Sequence, residues 1–396
     1  MRILHIVGSI SPEAGGPTEA IRMLVRYAPP GYTSELATLD DQDAPYLAAL
    51  PFPVYAFGSS KKNWYAPKLT AWLRANRDRF DGIMLHGLWE YTGLAVLQAI
   101  AGHKPYVVFP HGMLDPYFKK AFPAKHLKKW LYWLAAEFWV LRSAYRVLFT
   151  TAVERDLARH SFWLSQWTPM VVALGAEPPL LKPQTSNPQP STESFFARCP
   201  TAQGKRFLLF LGRIDPKKSC DLLIDAFTAI ASQDPELHLV MAGPDPGNWR
   251  DQLHAFAERG GVASRVHWPG MLKGEAKRGA FEACEAFVLP SHQENFGIAV
   301  VEALSYGKPV LISNPINIAP DVLADGCALV EPDTLEGTKR LLERWLSLSP
   351  ESRAAMSQQA LQTFAARYDM RHNAEVILRV FEQAQPTPSS SLAEAH

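Results

Sequence analysis

Cysteine is scarce in this chain, which has four among its 396 residues, at positions 199, 220, 284 and 327. These positions show neither the close pairing of zinc ligands nor the density of a disulfide-stapled domain. Cys220 and Cys284 fall within apolar segments, so the pattern favours free thiols in a reducing compartment. The sequence predicts no metal site.

An excess of charge of either sign is also lacking, because 40 Lys and Arg residues against 39 Asp and Glu residues leave a net charge of +1. There is no basic tail or stripe, so nucleic acid is not a predicted partner. Met1-Arg2 leads straight into a short apolar strand, which does not have the form of a signal peptide. We therefore expect a cytoplasmic protein.

Apolar residues, in contrast, make up 47% of the chain, which is enough for two cores at this length. Short apolar strands alternate with helical stretches in both halves. This alternation predicts an α/β fold of two Rossmann-like domains, each with a parallel sheet covered on both faces. The predicted strands lie near residues 2–8, 35–39, 53–57, 82–86, 105–109, 145–150, 169–174, 206–211, 237–242, 265–268, 285–289, 308–312 and 327–330.

A segment rich in proline and polar residues separates the two halves and is the predicted linker. The C-terminal end is rich in proline and serine and cannot bury enough apolar surface to order itself. We predict an N-terminal domain at 1–180, a linker at 181–204, a C-terminal domain at 205–368, a C-terminal helix at 369–385 and a flexible tail at 386–396.

Two glutamates separated by seven residues stand where a predicted strand passes into a helix. Glu294 lies in the loop, and Glu302 lies in the helix that Gly297 opens. Backbone N–H groups of residues 296–298 at such a helix start attract a diphosphate. A helix rises about 1.5 Å per residue, so the two carboxylates can flank one nucleotide sugar. The alternative is an ordinary strand–helix unit with one exposed and one capping glutamate.

A basic loop follows the predicted strand at 206–211. Arg213 offers a planar fork of donors and Lys218 a compact charge, which together suit the phosphates of a diphosphate leaving group. Ser219 is the predicted cap of the next helix. The alternative is a solvated turn, and the paired glutamates in the same half of the chain argue against it.

Loops after two strands of the first half are further candidates. Gly15 and Gly16 follow the first strand and would let backbone approach a ligand closely, although such glycine pairs also make simple turns. His111 follows the strand at 105–109, at the end of the strand where open α/β sheets bind ligands. The alternative for His111 is a structural histidine.

With these motifs, nearly the whole chain resembles the family 4 retaining glycosyltransferases, which have the GT-B fold of two Rossmann-like domains facing across a cleft. The resemblance implies that Arg213 and Lys218 bind the donor diphosphate, while Glu294 contacts the transferred sugar and Glu302 the ribose. It also implies that the first domain serves the acceptor, that the second binds the donor, and that the C-terminal helix returns to the first domain. One departure is Ser219, where the family has glycine. If the family's glycine has a positive φ at this position, serine would be strained in its place. A capping role for the serine would make this strain tolerable.

The candidate site residues form two overlapping sets. Loops near residues 242–244 and 269–272 are the candidates for recognising the base. The catalytic candidates are Glu294, Arg213, Lys218 and His111, and the donor-binding candidates are Gly15, Gly16, Arg213, Lys218, Gly243, Met271, Leu272, Glu294, Asn295, Phe296, Gly297, Ile298 and Glu302.

The resemblance implies a metal-independent, retaining transfer of a hexose from a nucleoside-diphosphate sugar of the GDP-mannose or UDP-glucose type. The acceptor would be a saccharide or a lipid-linked saccharide, in the assembly of a bacterial surface polysaccharide, and no cofactor would be needed. Two alternatives stay open. A sugar-nucleotide epimerase would bind the same donor without an acceptor, and a non-catalytic subunit would only hold the nucleotide sugar.

Residues 125–142 combine a basic start with tryptophans and leucines. The apolar stretch is too short to span a bilayer, and Glu137 interrupts it. It could lie on the inner face of the cytoplasmic membrane as a peripheral contact, or its Trp and Leu side chains could form the buried stripe of a first-domain helix.

Overall fold

The computed structural model describes residues 1–12, 15–58, 65–121, 123–179 and 191–384, without the side chain of Lys120. The chain divides into two compact units. Unit 1 comprises Met1–Leu174 together with the segment that starts at Met370, and unit 2 comprises Gly175–Asp369. Each unit contains its own parallel sheet.

Unit 1 is built on a seven-stranded parallel sheet of order β3-β2-β1-β4-β5-β6-β7. The central strands are mostly apolar and almost entirely buried, as expected for parallel strands that are covered on both faces. In the described part of the chain the strands are β1 Arg2–Val7, β2 Thr33–Thr38, β3 Val54–Ala56, β4 Gly82–His86, β5 Tyr106–Phe109, β6 Arg146–Phe149 and β7 Pro169–Val171. The helices are α1 Gly16–Arg26, α2 Pro67–Asn76, α3 Tyr91–Ala99, α4 Tyr117–Ala121, α5 Pro123–Tyr132, α6 Phe138–Ser143 and α7 Ala152–Ala158, with a π-helical turn at Trp133–Glu137 between α5 and α6.

Unit 2 repeats this arrangement with a six-stranded parallel sheet of order β10-β9-β8-β11-β12-β13. Its described strands are β8 Arg206–Leu211, β9 Leu237–Ala242, β10 Val266–Gly270, β11 Ala286–Leu289, β12 Val310–Ser313 and β13 Ala328–Glu331. Its described helices are α8 Ser191–Arg198, α9 Cys220–Ile230, α10 Arg250–Arg259, α11 Gly274–Ala283, α12 Ile298–Ser305, α13 Ala319–Ala324, α14 Leu335–Ser347 and α15 Pro350–Thr363. The predicted strands of both halves and the two Rossmann-like domains are confirmed.

The direction of winding reverses once in each sheet. In unit 1 the chain runs from β1 outward to β3 and then returns to place β4 on the other side of β1. In unit 2 it runs from β8 outward to β10 and then places β11 on the other side of β8. Open parallel sheets bind ligands at the carboxyl ends of the strands at such a reversal. The candidate residues therefore have to be located relative to the β1–β4 and β8–β11 boundaries.

Part of the predicted linker at 181–204 is helical. Helix α8 packs closely on α11, since a Cβ on Gly279 would lie 2.0 Å from the carbonyl oxygen of Ser191. This helix belongs to unit 2. The remaining linker residues up to 190 lie outside the described residues.

The C-terminal segment forms helix α16 Met370–Leu378, followed by a 3₁₀ turn at Arg379–Phe381. It belongs to unit 1, where the Asn373 amide donates to the carbonyl oxygen of Leu174 at 3.1 Å. The predicted tail at 386–396 lies outside the described residues. Within the described ranges, no helix combines the length and hydropathy required to cross a bilayer.

Candidate active site

The neighbouring strands β8, β9 and β10 end close together on one side of the β8–β11 boundary, and a glycine makes this possible. Gly243 follows β9 with a φ of 152°, and a Cβ there would lie 1.7 Å from the carbonyl oxygen of Gly212 after β8. Its N–H donates to Gly270 at the end of β10 at 2.9 Å. Gly243 thus packs backbone against backbone beside the basic loop. Whether it also touches a donor stays a prediction.

The reversal of unit 2 brings Lys218 and Glu294 together. Lys218 ends a 3₁₀ turn after β8, Glu294 lies in the loop after β11, and the ammonium of Lys218 donates to the carboxylate of Glu294. Their side chains are only 16% and 14% exposed, and the Ser291 hydroxyl also donates to Glu294 at 3.2 Å. Two motifs that lie far apart in the sequence therefore form one partly desolvated, charged site.

Arg213 lies in the same loop but is open to solvent. Its side chain is 61% exposed, and its guanidinium lies 3.4 Å from the carboxylate of Asp215. Asp215 also accepts the N–H of Lys217 at 2.9 Å, which stabilises the 3₁₀ turn that ends at Lys218. An incoming anion can therefore bind the Arg213 guanidinium by displacing its contact with Asp215, which is open to solvent on the arginine side.

Ser219 adopts the left-handed conformation, with φ 55° and ψ 41°, at the N-cap position of α9. Its side chain is buried and its hydroxyl makes no hydrogen bond to any described group. The predicted capping hydrogen bond is therefore wrong, because the left-handed backbone does not have the extended geometry of a side-chain cap. Serine is strained here, where glycine would adopt this conformation freely.

The loop after Glu294 is held firmly by packing. Gly297 opens α12 with a φ of 74°, and a Cβ there would lie 3.3 Å from Ile316. Phe296 is 7% exposed and contacts Tyr368 edge to face at 5.8 Å. Asn295 is half-buried, and Ile298, the first residue of α12, is 37% exposed. The helix start that is the predicted diphosphate site is thus fixed in place.

Glu302 lies in the second turn of α12 and pairs with a residue that the sequence did not indicate. The Lys277 ammonium on α11 donates to its carboxylate at 2.5 Å, and the two side chains are 31% and 21% exposed respectively. Lys277 was missed because nothing in an amphipathic helix distinguishes it from a surface lysine. Only the packing of α11 beside α12 reveals the pair.

The two residues after β10 differ in exposure. Met271 is 51% exposed, whereas Leu272 is 6% exposed and belongs to the core. Met271 is therefore available to contact a base. Leu272 could contact a base only through the small exposed part of its side chain. Both base contacts stay predictions.

In unit 1, Gly15 and Gly16 stand at the start of α1. Gly15 has a φ of 79° and is the N-cap residue, and a Cβ on either glycine would meet nothing within 4 Å among the described atoms. The glycines therefore leave open space at the start of α1. Residues 13 and 14 of this loop lie outside the described residues.

His111 follows β5 in the left-handed region, with a φ of 51°, and it belongs to a chain of three histidines. Its Nε2 lies 3.0 Å from Nδ1 of His86, and Nε2 of His86 lies 3.0 Å from Nδ1 of His5. Burial lowers the pKa of His111 to about 3 and that of His5 to about 4, and burial also lowers the pKa of His86. The sequence signal that was overlooked is a histidine in each of two otherwise apolar strands.

Two carboxyl groups of unit 1, the half-buried Glu90 and the buried Glu137, were also not predicted from the sequence as site features. Glu90, after β4, occupies the space that a Cβ on Gly8 would fill, and the N–H of Gly8 donates to it. Burial raises the pKa of Glu90 to about 7 and that of the fully buried Glu137 to about 8. Glu137 accepts the N–H of Trp89 at 2.6 Å. The glutamate that interrupts the apolar segment is therefore part of the interior.

The four cysteines are buried free thiols, as their sequence context indicated. In the ranges that the structure describes, no group of three or more His, Cys, Asp or Glu side chains is arranged to hold a metal ion.

Two open parallel sheets of this winding are the architecture expected of the GT-B class, and the lysine–carboxylate pair lies at the reversal of the second sheet. The chain belongs to the group 1 glycosyltransferases. The family model described as "Glycosyl transferases group 1" matches residues 191–363, and the model described as "Glycosyl transferase 4-like domain" matches residues 15–175.

Individual relatives agree with this assignment. A GDP-mannose:cellobiosyl-diphosphopolyprenol alpha-mannosyltransferase of Xanthomonas oryzae pv. oryzae is 26% identical over 387 residues, which cover 94% of this chain and 94% of that protein. The structure of a glycosyltransferase from Rickettsia africae has a TM-score of 0.77 at 13% identity, covering 96% of this chain and 98% of its own. HepE of Anabaena, solved in complex with UDP and glucose, has a TM-score of 0.74 at 17% identity, and the match covers 97% of this chain and 100% of that one. The two structures establish the fold.

Proposed function

We propose that this protein transfers a hexose, with retention of anomeric configuration and without a metal ion, from a nucleoside-diphosphate sugar to a lipid-linked saccharide. The observation that carries the proposal is the Lys218–Glu294 pair at the reversal of unit 2. The exposed Arg213 beside it adds a second cation. A departing diphosphate needs such preorganised positive charge, which a divalent cation supplies in other transferases.

In the proposed reaction, the bond between the anomeric carbon and the diphosphate oxygen breaks, and a bond to the acceptor oxygen forms on the same face of the sugar. The acceptor proton passes to an oxygen of the departing diphosphate. Lys218 and Arg213 stabilise the charge that develops on this leaving group. Glu294 orients the transferred sugar and Glu302 the ribose. No nucleophile of the protein is required.

GDP-mannose is the first donor to test, with UDP-glucose as the second. The relative from Xanthomonas whose name specifies GDP-mannose aligns with 94% of this chain, so its similarity extends over both units. Its name also specifies a polyprenyl-diphosphate-linked acceptor. We extend both features to this protein as proposals, together with a place in the assembly of a surface polysaccharide and action in the cytoplasm at the membrane.

A surface of unit 1 supports a lipid-linked acceptor. Leu127, Leu131 and Leu134 follow one another at helical spacing along α5 and the turn after it, and they are 72%, 77% and 52% exposed. Trp130 of the same helix contacts Trp163 at 5.3 Å between ring centroids, and Trp163 and the next residue, Leu164, are also exposed, at 80% and 52%. We call the five exposed residues the α5 surface. Exposed apolar area of this kind, with lysines on the same helix, suits the headgroup region of an anionic bilayer.

The interior of the same segment is packed as well. Trp133 is fully buried, and Val140 and Leu141 on α6 are inaccessible. Both interpretations of residues 125–142 therefore have a physical basis: one stripe belongs to the core, while the leucines of the α5 surface face solvent. The membrane contact is part of the proposal.

Incubation with labelled GDP-mannose, UDP-glucose and related donors, with and without a polyprenyl-diphosphate-linked oligosaccharide, tests the proposal. We expect acceptor-dependent transfer, accompanied by release of the nucleoside diphosphate. An isomerised sugar nucleotide would instead identify an epimerase. Binding without any turnover would identify a non-catalytic subunit.

A further inference from the structure

A continuous hydrogen-bonded chain crosses four neighbouring strands of unit 1. It starts at the Ser34 hydroxyl on β2, which lies 3.3 Å from Nε2 of His5 on β1. The two N···N contacts of 3.0 Å then carry it through His86, at the end of β4, to His111, which follows β5. His5 and His86 are fully buried. The chain thus connects the inside of the sheet to the carboxyl edge of the strands.

The rings are held in a nearly fixed arrangement. The planes of His86 and His111 differ by 15° with centroids 5.3 Å apart, and Phe109 stacks on His111 at 4.7 Å. The turn after His111 is held by Glu154, which accepts the N–H of Gly112 at 2.8 Å. His111 therefore keeps Nε2 toward His86, and Nδ1 is the ring nitrogen left for a ligand.

Each neutral imidazole carries one proton, so the protons of the chain are not independent. If any ring changed tautomer alone, one contact would hold two protons and another none. Only two arrangements satisfy every contact: all N–H groups point toward His111, or all point toward Ser34. The three histidines share the neutral state because burial disfavours their charged forms.

The serine end selects between these arrangements. When the Ser34 hydroxyl donates to His5, the one proton without an acceptor in the chain is that on Nδ1 of His111, which is half-buried and open to a ligand. In the opposite arrangement it is the hydroxyl proton that would need another acceptor, and among the described residues the Ser34 hydroxyl makes no hydrogen bond besides the one to His5. A buried donor without an acceptor is costly. Since Ser34 is only 8% exposed, the first arrangement is favoured.

We infer that Ser34, His5 and His86 are positioning residues that hold His111 as the neutral tautomer with the proton on Nδ1, so that His111 acts as a hydrogen-bond donor and not as a base. The ligand class that fits is an oxygen acceptor, such as a saccharide hydroxyl or a phosphate oxygen. This inference rests on the proposed function for the identity of that ligand. The tautomer itself does not depend on it.

Histidine tautomers are distinguished by two-bond ¹H–¹⁵N correlation spectra of protein labelled at its histidines, with the His111 signals assigned from a His111→Gln variant. We expect the Nδ1–H form in the wild type. In Ser34→Ala the bias is lost and His111 should shift toward a mixture of tautomers, whereas Ser34→Thr, which keeps the hydroxyl, should restore the wild-type pattern. A charged His111 at neutral pH, or the Nε2–H form in the wild type, would overturn the inference.

Unit 2 provides a matched control. There the Thr201 hydroxyl lies 2.8 Å from His267, whose Nε2 lies 2.9 Å from Nδ1 of His238. Thr201→Ala should change the signals of His238 and His267 and leave His111 unchanged, and the same signals report whether Ser34→Ala is folded. A His111 pattern that is identical in folded Ser34→Ala and wild type would also overturn the inference.

Kinetics add a second readout. Ser34→Ala should lower kcat/KM for the donor or the acceptor roughly 2- to 10-fold, the effect of one weakened hydrogen bond, and Ser34→Thr should recover it. A wild type that shows the expected tautomer but transfers no sugar would contradict the proposed function and leave this inference standing. Equal kcat/KM values for Ser34→Ala and wild type, for donor and acceptor alike, would contradict the inference.

Discussion

At the scale of single residues, the central feature of the site of unit 2 is a lysine whose position is fixed by an ion pair. Lys218 is largely shielded from solvent and already paired with Glu294, so the diphosphate that we propose to bind here would meet an ammonium that is already held in place. Arg213 differs because it is exposed and has only the solvent-facing contact with Asp215 to give up when it turns toward a ligand. We therefore expect Lys218 to provide preorganised charge and Arg213 to approach the ligand as it binds.

Lys218→Ala should therefore lower turnover by about 10²- to 10³-fold, the usual loss for one preorganised charge-stabilising group, and Arg213→Ala should also lower turnover. The measurement is the rate of nucleoside-diphosphate release at saturating donor and acceptor. Lys217→Ala, one residue earlier in the same 3₁₀ turn, is the matched control. If Lys218→Ala turns over as fast as this control, the assignment of the leaving-group site is wrong.

Glu302 should contribute to binding and not to chemistry. Glu302→Gln keeps an oxygen that Lys277 can contact but removes the charge, and we expect the dissociation constant of the nucleoside diphosphate to rise roughly tenfold, as for a lost hydrogen bond to a charged group. Isothermal titration calorimetry gives this constant directly. Glu275→Gln on the exposed side of α11 serves as the control, and an unchanged constant in Glu302→Gln would place the residue outside the site.

Ser219 carries two separable costs, a left-handed backbone and a buried hydroxyl without a hydrogen bond. Ser219→Gly relieves both, and we expect the free energy of unfolding to rise by about 1 kcal/mol. Ser219→Ala removes only the hydroxyl and should stabilise less. Denaturant titration measures both variants. A Ser219→Gly variant less stable than Ser219→Ala would show that the backbone here is not strained.

At the scale of elements, the strands were predictable because parallel strands buried on both faces are largely apolar runs, as in β5, β8 and β11. The loop motifs were predictable because strand ends carry the ligand-binding groups. The Lys277–Glu302 pair was not, since it depends on which helices become neighbours. The chain of histidines was not either, because His5 and His86 come together only through the register of β1 with β4.

Ser219 illustrates a different limit. Its position before a helix correctly predicted an N-cap residue, but the side-chain role depends on backbone dihedrals that residue type does not determine. Similarly, the predicted linker contains α8 because that helix is stabilised by packing on α11. Its proline-rich surroundings gave no sign of this contact.

The α5 surface should make this element a membrane contact. Leu131→Glu should weaken binding to vesicles of phosphatidylcholine and phosphatidylglycerol roughly tenfold, because a buried leucine contributes about 1.5–3 kcal/mol. Cosedimentation with the vesicles measures the effect. Leu323→Glu, at an exposed position of unit 2 that is 48% accessible, should bind like the wild type. Equal binding by both variants would remove the membrane contact from the proposal.

At the scale of the whole molecule, the two units share one winding and place polar groups at the same topological point. At the reversal of unit 2 lies the Lys218–Glu294 pair, and at that of unit 1 lies Glu90 against Gly8. The chemistry of the two points differs. The first carries the cations to which we assign the diphosphate, and the second carries a carboxyl group and, one strand further, His111, which suit the hydroxyl groups of a saccharide.

The central claim is retaining, metal-independent transfer by this single chain, and the most direct test is the anomeric configuration of the product. Enzyme treated with a chelator is incubated with an α-linked nucleoside-diphosphate hexose and the lipid-linked acceptor, and the new linkage is determined by proton NMR. We predict an α-linked product, formed at the same rate as without the chelator. A β-linked product, or transfer that ceases until a divalent cation is restored, would contradict the claim.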